Sequence, residues 1–346
     1  MPYSVLQPVK RRRRVRRGRW PIVLLTVAAV LAAASLAATQ HWAFARGKPH
    51  RSRAAPVARP RETTSKTLRR LRAAVAEQRA MAQGPFVPGT PLIVNAKPQF
   101  AGRLGNRITA PSAILVDAGT GTVLWARRPR RRRPIASTTK IMTGVLALEH
   151  LPLAKTIRIN PIVTRVALSR EGLRARERVP VWKLMYGLLL FSGNDDALAL
   201  AIATAGSKGA FLALMNEKAH RLGLTDTHFT TPSGVVDKGN YSSARDLAAL
   251  ARYAMAMPKF RAIVRTRIAH VRWSKPTYAK TYVNKNQLLG TYRGANGVKT
   301  GWTTLAGHCL VASATRGKRS LIAVVLHSPN PYGDARRLLN FGFANA

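Results

Sequence analysis

Hydrophobic and polar positions change their spacing twice along this chain, and the changes outline its elements. Pro111 to Leu124 (PSAILVDAGTGTVL) reads as two apolar strands around a glycine-containing turn at Ala118 to Gly121, a hairpin pattern. Between Ser137 and His150 the apolar residues Ile141, Val145 and Leu148 recur about one helical turn apart, with only Lys140 and Glu149 charged, which predicts a mostly buried helix. Helical spacing continues through Val181 to Leu190, Ala197 to Ala205, Phe211 to Leu222 and Ala244 to Ala256. Phe191-Ser192-Gly193-Asn194 breaks the first two of these apart. After Ile268 the pattern returns to strands, at Ile268 to Trp273, Gly297 to Thr300, Gly307 to Ala314 and Leu321 to His327, before a last helix from about Asp334 to Phe341. Strands at both ends of a helical block imply an α+β fold: an antiparallel sheet flanked by helices, with a mostly helical subdomain.

The N-terminal third has a different character. Residues 1–19 are basic (KRRRRVRRGR from Lys10), and the apolar run within 20–40 includes eighteen uncharged residues from Pro21 to Ala38. At about 1.5 Å per residue, a helix of that length just crosses a hydrocarbon core. Positive flanking charge would stay on the cytoplasmic side, so 20–40 is expected to be a transmembrane anchor that places the rest outside the cytoplasm. The alternative is a signal peptide cleaved near Ala45, since Ala43-Phe44-Ala45 has the small-x-small form of a cleavage site. Residues 41–104, rich in Arg, Pro, Ala and Thr, read as a linker, and 105–346 as one globular domain.

Composition sharpens the list of partners. The 346 residues carry 58 Lys plus Arg against 13 Asp plus Glu, a formal charge of +45, and residues 108–346 hold 36 of those bases and 11 of those acids. A field of that sign attracts polyanions. Because an apolar span sits directly behind the basic cluster, a nucleic-acid partner is not expected; anionic envelope polymers are, with Arg127 to Arg133 (RRPRRRR) as a further contact or simply a solvated loop. The single cysteine, Cys309, excludes an internal disulfide, and the eight histidines have no metal-site spacing, so no metal and no cofactor are expected.

Three short motifs carry chemistry. In Ser137-Thr138-Thr139-Lys140 the i and i+3 residues lie on one helical face, which brings the lysine amine within reach of the serine hydroxyl. Serine attacks once a neighbouring base takes its proton, and a buried lysine can be that base because desolvation penalises its ammonium form. Ser192-Gly193-Asn194 presents a hydroxyl and an amide from a tight break, although Asn194 with Asp195 and Asp196 is equally a helix cap with acids in the first turn. Lys299-Thr300-Gly301 lies in a strand, where lysine and threonine suit a terminal carboxylate and glycine lets a peptide backbone pass closely. Singly each is weak, but in this order they form the set found in penicillin-binding proteins and class A β-lactamases.

On these motifs, and on the surrounding PIASTTKIMTG, LLLFSGNDDALALA, MNEKAHRLGLTDTHFTTPSG and NGVKTGWTTLAGHCLVASA, the chain from about 105 to 346 resembles the low-molecular-weight penicillin-binding proteins, the serine-type D-alanyl-D-alanine carboxypeptidase family. The resemblance implies a β-lactamase/transpeptidase-like fold. It also implies Ser137 as nucleophile, Lys140 as its base, and Ser192 as a third catalytic group. Asn194, Lys299, Thr300, Gly301 and Trp302 would bind substrate, the backbone N–H groups of Ser137 and Trp302 forming the oxyanion hole. Peptidoglycan stem peptides would be the substrate, β-lactams the acylating inhibitors, and the cell envelope the location. D-alanyl cross-link endopeptidase is the alternative from the same residues. A β-lactamase is disfavoured because no E-x-x-L-N lies between Ser137 and Lys299, and an idle cationic wall-binding protein because adhesion needs none of the motif residues. One departure stands out: no arginine occurs in His327 to Asp334, where relatives often carry one for the substrate carboxylate, and Arg336 and Arg337 are the nearest.

Overall fold

Period-two alternation along the strands splits the apolar core into two layers, one on each face of a single sheet. The computed structural model describes residues 92–93, 104, 107–235, 239–272 and 279–345; the basic segment and the apolar span lie outside these residues, as does nearly all of the linker. Eleven strands follow in chain order: β1 (Ser112–Asp117), β2 (Val123–Arg127), β3 (Arg133–Pro134), β4 (Thr156–Arg158), β5 (Arg178–Pro180), β6 (Tyr241–Ser242), β7 (Ile268–Val271), β8 (Lys280–Val283), β9 (Ala295–Thr303), β10 (Gly307–Arg316) and β11 (Arg319–Ser328). Among the described residues the α-helices are α1 (Lys140–His150), α2 (Val181–Tyr186), α3 (Asn194–Ala205), α4 (Lys208–Arg221), α5 (Ala244–Ala256), α6 (Pro258–Val264) and α7 (Pro331–Ala344).

The main sheet runs β2-β1-β11-β10-β9, antiparallel throughout, so the opening hairpin joins the three closing strands as the sequence implies. Ile114, Val116, Ile322 and Val324 face the helical side with α1 and α5, while Ala113, Leu115, Leu321, Ala323 and Val325 meet Ala335, Leu338 and Leu339 of α7 on the other. A slip of one residue would exchange the two sets, so burial on both faces pins the register. Each large aliphatic side chain buried this way contributes about 1.5–3 kcal/mol.

Several elements lie beyond the apolar pattern. The strand expected at Ile268 to Trp273 pairs in a separate two-stranded ladder with β8, whose KTYV buries only Tyr282 and so shows no strand signal. The helix expected over Val181 to Leu190 becomes α2 followed by a π-helical turn at Gly187–Phe191. Leu92, Ile93 and Leu104 are buried in the core, and Arg252 on α5 donates to the carbonyls of Leu92 (2.9 Å) and Ala118 (2.8 Å), so the packed body includes residues ahead of 105. Among the described residues no single helix is long and apolar enough to cross a membrane.

A buried polar knot ties the helical layer together. Lys218 on α4 donates to Glu149 of α1 at 2.7 Å and to the Tyr253 hydroxyl of α5 at 2.8 Å, while Tyr253 donates to Glu149 at 2.6 Å. Every member is satisfied, the condition under which a buried pair is tolerated.

Candidate active site

The serine motif does not begin on the helix itself. Ser137 sits in a 3₁₀ turn, Ala136–Thr139, and α1 starts only at Lys140. With three residues per turn, i and i+3 stack almost in line. Ala136 enters the turn at φ 45°, a left-handed conformation that swings Ser137 out of the preceding strand and costs an alanine about 1–2 kcal/mol. The Lys140 amine donates to Ser137 Oγ at 2.9 Å, to Asn194 Oδ1 at 2.8 Å and to the Ser233 carbonyl at 3.1 Å. Lys140 is 0% exposed. Burial, reinforced by the Lys299 and Lys285 charges, holds its amine well below the ordinary lysine range. A base of lowered pKa thus lies at hydrogen-bond distance from the hydroxyl it would deprotonate.

The Ser192-Gly193-Asn194 break delivers its groups without capping its own helix. Gly193, rather than Asn194, is the N-cap of α3 and has no side chain to cap it; of the first-turn amides, Asp196 N–H donates to Asp195 Oδ1 at 3.2 Å. Instead the Asn194 amide divides its two ends, accepting from Lys140 and donating to the Ala167 carbonyl at 3.0 Å. Asp195 accepts from the N–H groups of Glu171, Gly172 and Leu173 at 2.7, 2.8 and 3.1 Å, which fastens the 165–173 loop against α3. Ser192 is buried at φ 75°, with its own N–H and that of Gly193 both donating to the carbonyl of Gly187, the first residue of the π-turn. That paired anchor holds a non-glycine residue in the left-handed region.

Strand β9 forms the opposite wall. Gly301 faces the nucleophile turn so closely that a Cβ there would lie 3.0 Å from both Ile135 O and Ser137 N and 3.1 Å from Thr138 N. Glycine is therefore required by proximity, and it leaves the backbone of β9 beside the Ser137 N–H. Lys299 is buried, donates to the Thr300 carbonyl at 3.1 Å, and is pushed down to about 7 by burial and by Lys285. Trp302 is 59% exposed, with its ring 6.1 Å from that of His308 across the β9–β10 pair. Ser137, Ser192, Thr300, Gly301 and Trp302 all line one cleft of about 540 Å³.

Two contributors have no mark in the three motifs. Lys285 lines the cleft, its ammonium 4.9 Å from the Phe191 ring, and partial burial lowers its pKa. The Thr231-Pro232-Ser233-Gly234 segment closes the back of the turn. Pro232 O accepts from Thr143 at 2.6 Å and Ser233 O from Lys140, while Gly234, at φ 75°, leaves no room for a side chain against Ala136 O. Only the FTTPSG stretch of the resemblance hinted at the second; a lone lysine between strands gives no hint of the first. Arg336 and Arg337 turn away, Arg336 to the Thr291 carbonyl at 2.9 Å and Arg337 to Asp334 at 3.4 Å. The run at 127–133 is partly tied down: Arg130 and Arg132 pair with Asp226, and Arg133 donates to Ser112 Oγ at 2.9 Å. Cys309 is buried with its thiol pushed up to about 11, an inert core residue in accord with its apolar strand. Among the described residues no cluster of His, Cys, Asp and Glu could hold a metal ion.

Residues 97–330 match the family described as D-alanyl-D-alanine carboxypeptidase. The chain is 36% identical over 296 residues to the D-alanyl-D-alanine carboxypeptidase of Streptomyces sp. strain K15, covering 80% of this chain and 99% of that protein. It is 34% identical over 271 residues to D-alanyl-D-alanine carboxypeptidase DacF of Bacillus subtilis, covering 74% and 69%. Among solved structures, the Streptomyces K15 DD-transpeptidase superposes with a TM-score of 0.65 at 36% identity, over 68% of this chain and 98% of that one. A D-alanyl-D-alanine carboxypeptidase from Mycobacterium tuberculosis gives 0.65 at 32%, over 75% and 96%.

Proposed function

The chain belongs to the D-alanyl-D-alanine carboxypeptidase family, and from that premise we propose that Ser137 attacks the carbonyl joining the last two D-alanines of a peptidoglycan stem peptide. Neutral Lys140 takes the hydroxyl proton as the Ser137 Oγ–carbon bond forms. The oxyanion is met by the N–H groups of Ser137 and Trp302. As the C–N bond breaks, D-alanine leaves with a proton returned through Lys140 and Ser192, and an acyl ester remains on Ser137. Water, deprotonated by the same lysine, then adds to the ester and releases the shortened peptide. Asn194 orients Lys140 and the acyl-side amide. Lys299 and Thr300, with Lys285 at the cleft wall, present positive charge and a hydroxyl to the terminal carboxylate, and Lys285 thereby does the work for which relatives often use an arginine ahead of the last helix.

One observation carries this reading: a lysine amine 2.9 Å from Ser137 Oγ, enclosed by neutral acceptors and pushed toward its unprotonated form by burial. The expected location is the envelope, with the N-terminal segment as membrane anchor, β-lactams as acylating inhibitors, and wall polyanions drawn by the general positive charge. Release of D-alanine from a diacetyl-lysyl-D-alanyl-D-alanine peptide tests the assignment. Ser137→Ala should lower kcat by at least about 10³-fold, in line with loss of a serine nucleophile. Release within tenfold of the unaltered enzyme would refute Ser137.

A further inference from the structure

Behind the catalytic lysine lies a second groove, of about 360 Å³, that the chemistry above leaves unused. Asn194 and Ser233 contribute to its wall, and these are the two residues besides Ser137 to which the Lys140 amine donates. Val235 lines both this groove and the main cleft. The wall also passes without a break from Arg165, Val166 and Ala167 in the groove to Leu168 and Ser169 in the cleft. The groove therefore adjoins the cleft on the side of Asn194 and Ser233.

Its charge is one-sided. Arg165 and Lys208 line it, both are exposed, and neither side chain makes an ion pair or hydrogen bond among the described residues. Among the described residues no acidic residue lines it. The acids that follow Asn194 on α3, Asp195 and Asp196, are buried, and Asp195 is occupied by backbone N–H groups. Asp195 in turn holds the 165–173 loop in place, so the Arg165 side of the groove is anchored to the helix that carries Asn194. The Ala167 carbonyl and the Asn194 amide are bonded to one another, which seals the floor between groove and lysine.

We propose that this groove is a subsite for the acyl side of the substrate, in which Arg165 and Lys208 hold a free carboxylate carried by a peptide two or three residues upstream of the scissile bond. An extended chain rises about 3.3 Å per residue, so the Cα that carries such a carboxylate sits roughly 7–10 Å from the reacting carbonyl. The acyl-side placement rests on the D-alanyl-D-alanine peptidase reading; the preference for an anionic ligand rests on the groove alone. The enzyme accordingly selects among stem peptides by upstream charge, a choice made away from the reacting atoms.

Peptides ending in D-alanyl-D-alanine, identical except for glutamate or glutamine at the second or third upstream residue, test this with the full chain. The glutamate peptide should show about fivefold to tenfold higher kcat/KM at low salt, the size expected of two exposed charge pairs. Arg165→Gln with Lys208→Gln should abolish that ratio while leaving the glutamine peptide, the rate of penicillin acylation and the melting temperature unchanged. Equal kcat/KM in the unaltered enzyme, or a ratio that survives the double substitution, would overturn the proposal. If neither peptide is hydrolysed, the peptidase reading fails separately, and fluorescence anisotropy of the labelled peptides on the Ser137→Ala chain still decides the groove. A glutamate preference there that is lost with Arg165 and Lys208 supports it, and no preference overturns it. Inorganic polyphosphate that binds through Arg165 and Lys208 while the peptides show no preference would assign the groove to a wall polymer and overturn the peptide subsite.

Discussion

Lys140 and Lys299 are both lysines at almost zero exposure, yet their surroundings give them different work. Lys140 has three neutral acceptors and no carboxylate within hydrogen-bond distance, and burial with the Lys299 and Lys285 charges outweighs the opposing pull of Asp196 and Asp195. Lys299 is pushed down to about 7 from 10.5, so it changes charge within the working range of pH. Its folded-state value lies below the unfolded one. The unfolded chain therefore holds more protons between about pH 7 and 10.5, and the fold gains stability as pH rises through that window, the penalty being fully present below it. Lys299→Met should remove this slope: relative to the unaltered protein, the variant should melt higher at pH 6 than at pH 10, by a margin on the order of 5 °C. Equal differences at both pH values would contradict the assignment. Ser137, Lys140, Ser192, Asn194, Lys299 and Thr300 are legible in the sequence because chemistry restricts their types and spacing. Lys285 and Ser233 are not, because Lys285 acts by a position set by a loop and Ser233 by a backbone carbonyl that any residue would supply.

At the scale of elements, the site is an interlock of a 3₁₀ turn, a π-terminated helix break and a strand. Gly301 is the contact between strand and turn: a Cβ built there would lie 3.0 Å from Ser137 N, tighter than ordinary van der Waals contact. Gly301→Ala should push the strand and turn apart and misplace the N–H that meets the developing oxyanion. Loss of such a donor lowers kcat by about 10²–10³-fold. Overpacking by one methyl costs about 1–3 kcal/mol, so the variant should remain folded with a modest fall in melting temperature. Unchanged kcat in a folded Gly301→Ala protein, measured as D-alanine release, would contradict the role of this contact. Strand and helix types were readable where apolar spacing was regular, as in β10, β11 and α5. The 3₁₀ turn, the π-turn and the pairing of β7 with β8 were not, since each depends on tertiary contacts. The turn at Ser137 is held from outside by Ser233 and Gly234, and β8 buries a single tyrosine.

For the whole molecule, the sheet is completed only when β11 docks beside β1, so the cleft between helical layer and β9 exists only in the folded domain. The order of strands, helical block and strands along the chain is why the α+β architecture could be anticipated, and the alternation that sends Ile322 and Val324 one way and Leu321 and Ala323 the other seats the sheet between its two layers. The basic surplus could be counted but not placed: Arg130 and Arg132 are spent on Asp226, whereas Arg165 and Lys208 face a groove. The central claim is that this cleft presents Ser137 as an acylated nucleophile. Incubating the protein with benzylpenicillin and recording intact mass beside Ser137→Ala tests it most directly. A stable penicilloyl adduct, one per chain, is expected on the unaltered protein and none on the variant. An adduct on both, or none on either with the antibiotic left intact, would contradict it.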